Sequence, residues 1–228
     1  FRQTGLGPDG KVLGEFVEQI EKQHPQAVVF DILFSDPDLY NPDSDAYFDA
    51  AIAETSNTFF PVLRLDPADD ALSQIKPDMV PGVVPLGANA QRDATVAVVL
   101  PYFNAALEGG RLGLHNIDPD ADGITRQYPV YRDEYGWKIP SLPLRIAQQL
   151  EFQQPDAQKV LLNWRGPPFT YHSVSFSDVF NDMASKNKKR PPDEFTGKIV
   201  IIGSTAPSLF DIKATPLSRM HPGVEILA

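Results

Sequence analysis

The chain has no cysteine. Thiolate metal centres, thiol nucleophiles and disulfides are excluded together, and the redox compartment stays open, since a chain without thiols tolerates oxidising and reducing surroundings alike. Also missing is any run approaching the ~20 consecutive apolar residues that a membrane-spanning helix needs. Basic residues are in the minority: 20 Lys and Arg stand against 30 Asp and Glu, a formal net charge of -10. Such a surface repels phosphate backbones and anionic lipid, so no nucleic-acid partner is expected. The single basic run, "KNKKR" at 186–190, leads straight into two prolines and reads as a solvated loop.

What is present is material for a core. At 228 residues and 42% hydrophobic content, the chain is long enough for one large α/β domain, expected to span 1–228. It begins at Phe1 and stops within a hydrophobic pattern, "GVEILA". It is read as a piece of a longer protein whose membrane anchor lies outside it.

Periodicity supplies the elements. Val12, Phe16 and Ile20, widened by Leu13 and Val17, mark a helix with Asp9 as N-cap and Pro25 as stop. "AVVFDILF" (27–34) predicts a strand covered on both faces. A second helix over 43–56 around Ala46, Phe48 and Ile52 leads to the strand "TFFPVLRL". Residues 66–92 read mostly as loop. "TVAVVL" (95–100) predicts either a short strand or the lead-in to a helix through Ala106. "RLGLHNI" and "ITRQYPVYR" are expected as antiparallel strands flanking an acidic turn, with "DEYGWKI" as a further tight reversal. Ser141 caps a helix carrying Leu142, Ile146 and Leu150. "KVLLNWRG" and "FTYHSVSF" predict strands, Ser175 or Ser177 caps a following helix, and "GKIVIIGSTA" predicts a strongly buried strand. The fold class is α/β: a mixed sheet with parallel buried strands and a central antiparallel hairpin meander, covered by helices.

Two stretches carry candidate chemistry. In "GLHNIDPDADGITRQYP" (113–129), Asp118, Asp120, Asp122 and Gly123 reproduce the first half of an EF-hand loop. Position 9 is Arg126, however, and position 12 is Pro129 where a bidentate glutamate is needed. Asp-Gly favours tight turns, so the stretch reads as a hairpin turn with Arg126 as local counter-ion. Weak divalent-ion binding by Asp118, Asp120 and Asp122 is the lesser alternative; no cofactor is expected. Asp31 interrupts an apolar strand, where an unpaired buried carboxylate costs several kcal/mol. With Ser35, and with Ser204 and Thr205 after "KIVIIG", it would occupy the crevice at the carboxyl ends of parallel strands, where open α/β sheets collect ligands. A loop cap is the plainer role for Asp31.

"IIGSTAPS" has neither G-x-G-x-x-G nor a P-loop lysine, and Ser204 is not in G-x-S-x-G. His24, His115, His172 and His221 show no zinc-ligand spacing, and none is expected to pair with a carboxylate at helical spacing. His115 and Asn116 stand out as polar side chains entering the acidic turn. Trp137 and Trp164, with Tyr102, Tyr128, Tyr131 and Tyr135, supply either ordinary packing or the lining of an apolar pocket.

Four segments in order, "VVFDILFSDPD", "GLHNIDPDADGITRQYP", "IPSLPLRIA" and "FTGKIVIIGSTAPSLFDIKATPLSRMHPGVEILA", together resemble the CHASE-type extracellular sensor domains of the second type. That family is attached to bacterial cyclases, histidine kinases and serine/threonine kinases. The likeness spans nearly the whole chain, with 66–92 and 152–192 least supported. Gly203, Asp211, Thr215-Pro216 and Pro222-Gly223-Val224-Glu225 carry its most specific part. One departure is Leu227, where the family often has histidine or asparagine. The resemblance implies an extracytoplasmic input module, preceded by one membrane helix and followed by about three, with a cytoplasmic output domain and a homodimeric full-length protein. It supplies a role without naming the signal. The candidate ligand-binding residues are Asp31, Ser35, His115, Asn116, Arg126, Ser204, Thr205 and Asp211, and none is assigned as catalytic. The alternatives are a periplasmic hydrolase using Asp31 and Ser204, and a dimerisation module without a pocket.

Overall fold

Residues 11–205 and 211–228 are described by the computed structural model of the protein. Helix α1 (Val12–Glu21) buries the predicted stripe of Val12, Phe16 and Ile20, together with Val17. The proposed cap Asp9 lies outside the described residues, and the helix follows Lys11. Its end agrees with Pro25: the chain turns at His24, whose φ of 55° is left-handed. Helix α2 (Pro42–Ala53) starts with proline in its first turn, where the missing N–H costs nothing, and with Asp43 and Asp45 beside the positive end of the helix dipole.

Strands β1 (Ala27–Phe30) and β2 (Thr58–Arg64) are parallel neighbours at the centre of the main sheet. All four side chains of β1 are buried, as expected for a strand covered on both faces. Val28 and Phe30 pack with α1, α2, Phe60 and Val62, while Ala27 and Val29 pack with Phe59, Leu142 and Ile146. The first of these layers holds an aromatic cluster in which Phe30 stacks on Phe60 at 5.2 Å and Phe48 meets Phe103 edge-on at 4.8 Å.

After β2 come two short 3-10 turns, Pro67–Leu72 and Pro77–Met79, and the two-residue strand β3 (Val84–Pro85), so 66–92 is largely loop as predicted. Strand β4 (Val98–Val99) runs antiparallel to the end of β2, and helix α3 (Asn104–Gly109) follows. Strand β5 (Leu112–Leu114) corrects one expectation: it pairs parallel with β2 instead of flanking a hairpin. Strand β6 (Gln127–Pro129), on the far side of the acidic turn, pairs with β9 (Lys159–Leu161). The turn therefore joins two sheets. The reversal at "DEYGWKI" does form a hairpin, β7 (Tyr131–Glu134) with β8 (Trp137–Pro140), and Tyr135 and Gly136 take φ of 56° and 80° at its tip.

Helix α4 (Leu142–Gln149) is capped as predicted, Leu144 N donating to Ser141 Oγ at 3.3 Å. Ser175 likewise caps α5 (Phe176–Ala184). Residues 169–175 are not a strand; this segment lies irregularly beside the sheet edge, and Phe176 already belongs to α5. Strand β10 (Ile199–Ile202) pairs parallel with β1 at that edge, and there it is less buried than its composition implied: Ile199 is 40% exposed. The main sheet runs β10-β1-β2-β4, with β5 also on β2. The chain ends in the hairpin β11 (Ile212–Thr215) and β12 (Ser218–Pro222), followed by a 3-10 turn at Gly223–Ile226. The result is a mixed sheet of parallel and antiparallel strands between helices, the α/β class expected.

Candidate functional site

Because β1, β10, β2 and β5 are parallel, the residues that follow β1, β10 and β5 emerge at one end of the sheet. Asp31 follows β1, Gly203 follows β10 and His115 follows β5. The strand assigned to 27–34 stops at Phe30, and the Asp31 side chain, 1% exposed, enters a polar centre at the sheet's end. His115 Nδ1 stands 3.1 Å from Asp31 Oδ1 but is not aligned for a hydrogen bond, and neither carboxylate oxygen of Asp31 has a hydrogen-bond donor. Burial pushes the Asp31 carboxyl up to about 6; His115 and Lys213 pull the other way, and Asp211 adds to the rise. The Tyr128 hydroxyl is also buried without a partner, and burial, with Asp31 nearby, pushes it up as well.

The final hairpin closes over this centre. Gly223 N donates to Asp211 O at 2.8 Å, and Lys213 Nζ lies 3.5 Å from Asp211 Oδ1. Glycine is required twice here for close approach. A β-carbon on Gly203 would meet Val224 and Asp31, and one on Gly223 would strike the Asp211 carboxylate. The sequence candidates Asp31, His115 and Asp211 are thus brought together.

The others are placed elsewhere or act differently. Ser35 is exposed and donates to Asp36 Oδ2. Asn116 serves the scaffold: its Oδ1 accepts from Arg64 N at 2.7 Å and its Nδ2 donates to Arg64 O at 2.8 Å, extending the edge of β2. Arg126 bonds Asp120 and Asp122, the counter-ion role predicted for it, while Arg132 takes Asp118. Arg126 holds the Asp122 carboxyl down at about 2. Among the described residues no group of three or more potential ligands is placed to hold a metal ion. Thr205 lines a cavity beside β10, and Ser204 precedes it in the chain.

Two cavities flank the C-terminal turn. The larger, about 620 Å³, runs along the β10 edge between residues 169–176 and Gly203, Thr205 and Val224. The smaller, about 270 Å³, is walled by Trp164, Tyr128 and Tyr171. Glu225, Tyr171 and Ala228 border both. Between them lies a pair that the sequence reading missed. His221 Nε2 is 3.1 Å from Glu225 Oε2, with side chains 3% and 8% exposed, and Glu225 Oε2 also accepts from Phe169 N at 3.0 Å. A histidine and a carboxylate four apart were the available signal; the expectation that no histidine makes such a pair is corrected. The intervening Pro-Gly disguised it, because that dipeptide does not read as helix.

The geometry is a buried polar centre, two accessible cavities, and a C-terminal segment that forms part of both. A family model for the CHASE2 domain matches residues 6–228. Comparison with curated proteins and with solved structures gave no match. No helix among the described residues is long and apolar enough to cross a membrane. Coverage of nearly the whole chain, including the β10 edge and the final hairpin that build the site, shows that the chain belongs to the CHASE2 domain family of extracellular sensory domains of signalling proteins.

Proposed function

We propose that this chain is the extracytoplasmic input module of a membrane-bound bacterial signalling protein with a cyclase or kinase output, and that it works within a homodimer. A small molecule bound beside the C-terminal turn shifts the balance between two arrangements of the segment 223–228. That segment and helix α1 pass the shift to membrane helices. The observation that carries this reading is the shared wall: Glu225 and Ala228 border both cavities, so an occupant of either touches the last residues of the domain directly. A ligand moves such an equilibrium only by its differential affinity, about 1.4 kcal/mol for each factor of ten.

The test uses the full-length protein in membranes, with output activity as readout. Glu225→Gln and Gly223→Ala disturb the turn without touching an output domain. Both are expected to change the response to the cue or lock the output in one state. Unaltered signalling in both variants, in protein correctly inserted and folded, would refute the transmission route.

A further inference from the structure

The smaller cavity has a composition that selects among ligands. Its walls are apolar and aromatic, with Val160, Leu162, Trp164, Tyr171 and Ile226 on its surface. Trp164 is held in place by packing on the His221 ring, 4.9 Å between centroids. His221 is in turn fixed by Glu225 Oε2 at 3.1 Å, with Thr215 Oγ1 3.4 Å from its Nδ1. The aromatic wall is therefore preset rather than formed on binding. At about 270 Å³ the cavity falls just below the roughly 300–1,000 Å³ of drug-sized sites. A cavity of this size suits a small ligand.

Charge decides the rest. An aromatic-walled pocket with a glutamate would suit a cation, but Glu225 Oε2 already faces His221 and accepts from the Phe169 amide. Arg165, exposed at the cavity wall, already places its guanidinium over the Tyr171 ring at 5.6 Å. It makes no ion pair among the described residues, so its charge repels a cation and is open to an anion. A guanidinium recognises a carboxylate through two parallel hydrogen bonds. We propose that this cavity binds a small planar aromatic monocarboxylate, its ring against Trp164 and its carboxylate on Arg165. The inference deepens the sensory reading and rests on it.

The full 228-residue chain is titrated with benzoate and indole-3-carboxylate, with benzamide as the uncharged counterpart of benzoate and benzylamine as the cationic one, by calorimetry and Trp fluorescence. At least one carboxylate is expected to bind and to change the fluorescence, and the change is expected to vanish in Trp164→Phe. Benzamide is expected to bind at least about tenfold more weakly than benzoate, the loss corresponding to one charge-assisted hydrogen bond, and benzylamine not at all. Arg165→Gln, an exposed change whose folding is checked by its melting temperature, is expected to remove the preference for benzoate over benzamide. Absence of binding by both carboxylates, equal binding of benzoate and benzamide, or full affinity in Arg165→Gln would overturn the proposal. Such a failure is separable from failure of the sensory reading, which is judged by the signalling of the full-length Glu225 and Gly223 variants.

Discussion

Arg64 closes β2 and Asp31 follows β1, so two buried charges sit at the same end of two adjacent parallel strands. Both Nη atoms of Arg64 have partners, while its Nε is buried without one: Asp70 takes both Nη atoms at 2.7 Å, Glu134 lies at 3.1 Å, and the Leu65 and Ala97 carbonyls accept from Nη1. Tyr135 and the Ala97 amide add their donors to Asp70. Burial by itself would lower the Arg64 pKa, and its hydrogen bonds to Asp70 and Glu134 more than offset it. For Asp70, burial raises and the bonds from Arg64, Ala97 and Tyr135 prevail, leaving it below the usual range. Asp31 has no aligned hydrogen-bond donor, its ion-pair contact being His115 at 3.1 Å, and burial prevails instead. The difference teaches what each centre is for. A charge whose partners are in place fastens the β7–β8 hairpin and the 67–72 turn to the sheet. A charge short of partners is held near its point of titration beside the segment proposed to carry the signal.

The largest effect belongs to the Arg64–Asp70 centre. Asp70→Ala strips Arg64 of its bidentate partner and leaves two further donors unanswered, which is expected to cost about 3–5 kcal/mol of stability in chemical denaturation. A loss below about 1 kcal/mol would show that the network is not what holds the hairpin.

Next is Asp31, with the opposite sense in pH. Its folded value of about 6 lies above the ordinary 3.8, so between these values the folded state holds more proton than the unfolded one. The stabilising contribution is complete below pH 3.8 and is lost as pH rises to about 6 and beyond. This amounts to a fall on the order of 2–3 kcal/mol between pH 4 and 7 from this group. Asp31→Asn is expected to remove that fall, and denaturation midpoints of the two proteins across this range measure it. Parallel curves for variant and wild type would place the titration elsewhere.

The smallest effect sharpens the contrast with exposed charge. Arg126→Ala breaks solvent-exposed pairs with Asp120 and Asp122, and surface pairs of this kind contribute little. Its melting temperature is expected to stay at the wild-type value, and added calcium is expected to leave both proteins unmoved.

The legible parts of the chain were those whose information is local. The stripe of α1, the Ser141 and Ser175 caps and the Tyr135-Gly136 reversal each depend on residues within a turn or two, and each formed where its residues indicated. Asp31, His115 and Asp211 could be chosen as candidates because a carboxylate in an apolar strand demands an explanation and because the family resemblance singled out the closing segment. The failures share a cause. "FTYHSVSF" has strand composition, but a cavity separates it from the β10 edge and it does not join the sheet. The flanks of the acidic turn were assigned to each other, whereas their hydrogen bonds go to β2 and β9.

The amino-acid order by itself determined most of the element types, the acidic surface, the absence of thiol chemistry and the family. Only the tertiary structure decided which strand ends meet, that His221 and Glu225 pair across a Pro-Gly turn, and that Asn116 bonds the backbone at the end of β2. Backbone propensity and periodicity act over a few residues and are written in sequence. Burial, pairing and the pKa of a carboxyl depend on groups dozens of positions away, and these acquire values only when the chain has closed on itself.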